Sequence, residues 1–167
     1  GSASPSSNAR STATSKTTSS WSPTYTGSDS TVQTAFSWLT SKRDPTTHVK
    51  ALQSLTEYLS ADSVSKKLQA LVAQHWVWLY HRKIYFDTTP AVRAAALLLW
   101  VQIRERLPKA FGNLVDATSS NDAPVVLGML YSSMVDSATE VQQVANNERT
   151  KKVLFDELYN GVASDEA

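Results

Sequence analysis

The chain contains no cysteine. Disulfides, zinc-thiolate centres and thiol nucleophiles are therefore excluded, and a reducing compartment such as the cytosol fits. Its five glycines are scattered and build no loop that cradles phosphate. There are three histidines, His48, His75 and His81. His75 and His81 are six apart and do not share a helical face, and no carboxylates accompany them at ligand spacing. No apolar run approaches the ~18 residues that cross a bilayer, and the first twenty residues lack the apolar segment of a secretory signal. No stretch alternates apolar and polar as a half-buried strand does. Acidic residues fall at helix starts and on surfaces rather than as a convergent pair. The expectation is a non-catalytic protein without metal, cofactor or membrane association.

Charge is unevenly placed. Residues 42–109 carry eleven Lys/Arg against five Asp/Glu, and residues 110–167 carry three against nine. A basic stretch beside an acidic one suggests a polyanion partner at one end.

The chain divides into a Ser/Thr-rich tail over 1–28, a helical domain over 29–160 and a disordered end over 161–167. Gly1-Ser2 reads as a cloning scar. Trp21 and Tyr25 are the residues of the tail suited to pin it to the domain or to engage a partner. From Asp29 onward the apolar spacing is helical. Val32, Ala35, Phe36 and Leu39 form one stripe behind an Asp29 or Ser30 cap, and Val49, Leu52, Leu55 and Leu59 the next, behind Asp44 and Pro45. Asp62 or Ser63 is the expected cap of a longer helix with Val64, Leu68, Leu71, Val72, Trp76 and Leu79 inward. A helix opening near Pro90 carries Val92, Ala95, Ala96, Leu99, Trp100 and Ile103. Pro108 and Pro124 open further helices around a polar loop over 117–123. Two short ones follow, built on Val141, Val144 and Ala145 and on Val153, Leu154 and Leu158.

A layout recurs. Asp44, Asp87 and Asp136 each precede a Val by five residues, at Val49, Val92 and Val141, and the Asp-to-Asp steps are 43 and 49. That is close to the period of HEAT and armadillo units. In each unit the Asp would cap an inner helix and meet a Lys or Arg of a neighbour. Units of this kind cannot cover their own apolar faces and must stack. The predicted fold class is all-α, a HEAT/armadillo-like α-solenoid of antiparallel helix pairs, with a four-helix bundle of accidental spacing as the alternative. An unfinished last pair would make this an excised N-terminal piece of a longer array.

The aromatic run Trp76, Trp78, Tyr80, Tyr85 and Phe86 reads mainly as core, with Trp76 and Tyr80 expected to pack on Trp100. Trp78 falls off that face and is the candidate anchor of an adaptor that binds a peptide or helix in its groove. Lys42 and Arg43 lie in the turn before the first Asp, and Arg82 and Lys83 lie before the second. Stacking would set these turns side by side as a phosphate-facing edge.

The run from Leu39 to Gln53 resembles the start of listerin, the E3 ubiquitin ligase of ribosome-associated quality control. There a helix ends in Leu-x-x-Lys-(Lys/Arg)-Asp-x-x-Thr, followed by Lys-Ala-Leu-Gln. Tyr80, Asp87, Val92-Arg93 and Leu107-Pro108 extend the likeness over roughly residues 30–115. Asp116–Asp122 resembles an insertion, the helix from Pro124 lacks the family's Trp, and Thr88-Thr89-Pro90 is less basic than the family's second turn. The resemblance implies a module that docks the ligase on stalled 60S ribosomal subunits in the cytosol, beside a NEMF-type factor, while a distant RING ubiquitinates the nascent chain. The expected contacts are Lys42, Arg43, Lys50, Arg82 and Lys83, with Asp44, Pro45, Thr46 and Thr47 shaping the edge, on a monomeric protein with no ligase activity of its own.

Overall fold

The computed structural model describes residues 25–115 and 123–156, and every regular element among them is helical. The tail through residue 24 with Trp21, the segment 116–122, and the end from 157 with Leu158 lie outside the described residues.

The first helix, α1 (Ser30–Ser41), starts where Asp29 accepts from the Val32 amide at 3.0 Å. Its buried face is Val32, Ala35, Phe36 and Leu39, as the spacing predicts. Tyr25 packs on Phe36 with ring centroids 5.5 Å apart, so the start of the described chain is tied to the domain. Burial, reinforced by Tyr58 and Asp29, pushes the Tyr25 phenol up to about 12.

Helix α2 (Pro45–Ser60) is capped by Asp44, and Pro45 takes the first position, where a missing N–H costs nothing. Helix α3 (Lys66–Arg82) departs from expectation. Its cap is Ser65 rather than Asp62 or Ser63, and its buried face is Gln69, Val72, Ala73, Trp76, Leu79 and Tyr80. Leu68, expected inside, is 45% exposed. The reason is Gln69. Its amide donates to the Tyr58 and Ala61 carbonyls at 2.9 and 3.1 Å and accepts from Arg106 at 2.9 Å. A fully bonded polar group can occupy the core, and here it gives carbonyls at the end of α2 a further donor. Asp62 instead pairs with Arg106 at 2.8 Å.

A 3-10 turn (Ile84–Phe86) leads to α4 (Pro90–Arg106), which is followed by α5 (Pro108–Val115) and α6 (Ala123–Ser132). Thus α6 begins inside the expected loop, one residue before Pro124. A second 3-10 turn (Ser133–Val135), α7 (Thr139–Ala145) and a single turn α8 (Glu148–Thr150) that widens into a π-helix (Lys151–Asp156) complete the described chain.

Helix α2 packs on α1 and α4, and α4 packs in turn on α7. The helices that follow Asp44, Asp87 and Asp136 therefore lie side by side in chain order. Polar bonds between successive layers repeat the same interval. Lys83 reaches Leu39, Gln102 reaches Leu59, Arg106 reaches Asp62, Arg93 reaches Asp136 and Arg149 reaches Glu105, each across 43 or 44 residues. Between the layers sits an aromatic stack. Trp100 meets Tyr80 at 5.4 Å, Trp76 at 6.1 Å and Phe111 at 5.8 Å. Burying each such ring contributes roughly 1.5–3 kcal/mol, so this stack helps to fasten α3, α4 and α5 together.

Candidate docking site

The site grows from three turns that share one register. Each carries an aspartate, and the three do different work. Asp44 caps α2 directly, accepting from the Thr47 amide at 3.0 Å and the Thr47 hydroxyl at 2.9 Å. These bonds hold its carboxyl below the ordinary value. Asp87 and Asp136 do not cap their helices. Each accepts from the amide two residues on, Thr89 and Ala138 respectively, both at 2.8 Å. The helix then starts two residues later than in the first unit. The expectation of a capping Asp therefore holds for Asp44 and is corrected for the other two.

The predicted meeting of Asp with a neighbouring base occurs at the second junction. Arg93 donates to both Asp136 oxygens, at 3.0 and 2.8 Å, and to the Asp87 carbonyl at 2.7 Å. The Arg93 hydrogen bond is the main cause that lowers the Asp136 carboxyl. Lys50 holds the register position of Arg93 yet stays exposed. At the first junction its place is taken by His48. This imidazole is buried, with Nε2 2.6 Å from the Lys42 carbonyl and Nδ1 3.6 Å from Asp87.

His48 thus ties the backbone of the Lys42-Arg43 turn to the second unit. Lys83 adds a second tie, donating to the Leu39 and Thr40 carbonyls at 2.7 and 3.3 Å. The turns 42–47 and 83–87 are consequently neighbours. Lys42, Arg43, Asp44, Pro45 and Thr46 are exposed along that edge, and Thr47 is half-buried beneath them. Arg82 is exposed, with its guanidinium 5.9 Å from the centroid of the Trp78 ring. Lys83 is exposed too, but its ammonium is spent on α1, where a cation offsets the negative end of the helix dipole.

Sequence reasoning finds these cations and misses His48, to which it assigns no role. The signal available was its place four residues after Asp44, one helical turn inward of the cap. Trp78, the candidate anchor, is half-buried beside His75 at 5.9 Å and under Arg82. Along the same edge the residue before each Asp is Arg43, then Phe86, then Val135, the latter two 64% and 80% exposed. The edge therefore passes from basic to apolar.

No group of His and acidic residues among the described residues has metal-binding geometry. No helix among them is long and apolar enough to cross a membrane. Neither the curated proteins nor the solved structures gave a match to this chain. The family profile of the N-terminal domain of E3 ubiquitin-protein ligase listerin matches residues 27–157, which takes in all three turns and every helix described above. With most of its length under that profile, the chain belongs to the listerin N-terminal domain family.

Proposed function

We propose that this domain docks its ligase on the stalled 60S ribosomal subunit through the edge that begins at Lys42 and Arg43. Bound there, it places a distant RING within reach of the nascent chain, in the cytosol and beside a NEMF-type factor. The domain itself supplies grip and orientation and acts as a monomer. Its helices form the first layers of a HEAT-like α-solenoid, a reading supported by bonds that recur every 43 or 44 residues.

The observation that carries this reading is the stitched basic turn. His48 holds its Lys42 carbonyl, and Lys83 holds the end of α1 that leads into it, at the Leu39 and Thr40 carbonyls. A cation on a fixed backbone loses less entropy on meeting a phosphate than one on a free loop. Lys42, Arg43 and Lys50 would face rRNA phosphates. Arg82 would join them from above Trp78, while Lys83 would shape the edge more than it touches RNA. The Asp44-Pro45-Thr46-Thr47 segment fixes where the two leading cations stand.

Cosedimentation with purified 60S subunits across a salt series tests this. Lys42→Glu with Arg43→Glu is expected to abolish pelleting at physiological salt. Neutral Gln versions should weaken it and flatten the log–log salt slope by roughly 1.5, the share of two phosphate contacts. Pelleting and slope that both survive the charge reversal would refute the assignment.

A further inference from the structure

The other ends of the same helices form a separate concave surface. Helix α3 runs from Lys66 to Arg82, so about 25 Å separates its first turn from the docking edge. At that far end a cleft of 480 Å³ opens between the start of α3 and the corner where α4 meets α5. Lys66 and Lys67 stand on one side, Arg106 and Lys109 on the other, and no carboxylate lines it. Arg106 is already engaged by Asp62, Gln69 and the Ala61 carbonyl. The three lysines are exposed and form no ion pair among the described residues. Beneath them the surface is mostly carbon, supplied by Ala70, Pro108 and Ala110.

We propose that this cleft binds an acidic polypeptide segment that carries apolar side chains. Three unpaired ammonium groups facing one concavity select carboxylates. The carbon floor selects a Leu- or Phe-type side chain, whose burial would supply the larger share of the free energy. RNA fits the cleft less well. No aromatic residue lines it, so a base has nothing to stack on, and a phosphodiester makes no use of a carbon floor. The rim would steer and orient the segment while the floor holds it. This inference stands apart from ribosome docking and uses none of the residues of that edge.

The test uses the full chain and fluorescence anisotropy with three labelled probes of equal length: a peptide of repeating Asp-Glu-Leu, one of repeating Asp-Glu-Ser, and an oligouridylate. The leucine peptide is expected to bind best. Lys66→Glu, Lys67→Glu and Lys109→Glu together should weaken it at least about tenfold, and the corresponding Gln triple should do so by several-fold. Ala110→Leu, which crowds the floor, should weaken the leucine peptide and leave the serine peptide unchanged. Lys42→Glu with Arg43→Glu should change none of these values, which separates this site from the docking edge. Equal binding of the two peptides would remove the apolar component and overturn the proposal. So would tighter binding of oligouridylate that ignores Ala110→Leu, or an absence of binding by the leucine peptide. Helical circular dichroism checks each variant, and the comparison between peptides decides the question on the unaltered protein even if Ala110→Leu fails to fold.

Discussion

The two junctions between layers use the same aspartate register and different partners. At the second, Arg93 grips both oxygens of Asp136 and the Asp87 carbonyl with three bonds of 3.0 Å or less. At the first, His48 stands 3.6 Å from Asp87 and gives its short bond of 2.6 Å to the Lys42 carbonyl instead. One junction spends its cation on holding layers together. The other leaves its register cation, Lys50, exposed and uses a smaller ring to hold backbone. The solvent-facing basic turn is found where the arginine–aspartate pair is missing. The same register position can therefore either spend its cation on a bond between helices or leave it exposed.

Breaking the second junction should cost most. Arg93→Ala removes three charge-assisted bonds and leaves Asp136 partly buried without its partner. The expected loss is about 2–3 kcal/mol of unfolding free energy, read from the urea midpoint. Acid titration sharpens the point. Because Arg93 holds the folded carboxyl of Asp136 below its unfolded value of roughly 3.9, the bond stabilises fully above that pH. Its contribution fades as pH falls through the lowered folded value. Asp136→Asn should lower stability at neutral pH and flatten the acid limb of the stability profile. An acid limb with the original slope in that variant would remove Asp136 from the account.

The first junction should be weaker and more local. His48→Ala forfeits the bond to Lys42 and leaves a small void beside α4, for an expected cost of about 1–2 kcal/mol. Its distinguishing effect is on the turn. Amide exchange at Lys42 and Arg43 should quicken more than exchange in α4, and 60S pelleting should fall although no surface charge has changed. Uniformly faster exchange across α2 and α4 would mean that His48 acts as core alone.

This contrast also marks how far the sequence could be read. The stripe of α1 was legible because cap and apolar spacing agree there, and Asp29 and Asp44 bond as their positions imply. On α2 the spacing found Leu52, Leu55 and Leu59 but counted half-buried Val49 in place of buried His48 and Ala51. The phase of α3 was not, because an apolar pattern counts Leu68 as inward and Gln69 as outward. That assignment reverses once Gln69 finds three partners at the ends of α2 and α4. The repeat was visible as an aspartate recurring before a valine. Its partners were not, since Lys50 and Arg93 share a register and only tertiary distance tells which of them reaches the next unit. The basic edge was legible as composition. That His48 and Lys83 stitch it depends on contacts between residues far apart in the chain, which no local window contains.

Lys83 gives the smallest effect and the finest test of what the edge is made of. By sequence it resembles Lys42, a cation shortly before a repeated Asp, though four residues ahead of Asp87 rather than two. In the fold its ammonium lies 2.7 Å from the Leu39 carbonyl, at the negative end of α1. Lys83→Met keeps the aliphatic stem and removes the charge, so it should cost about 0.5–1 kcal/mol in stability. Because that charge already serves α1, the salt slope of 60S binding should change far less than it does on neutralising Lys42 or Arg43. If Lys83→Met instead lowers the slope by a full phosphate's share and leaves the urea midpoint in place, the ammonium leaves α1 to reach RNA. The edge would then hold one more available cation than the fold alone indicates.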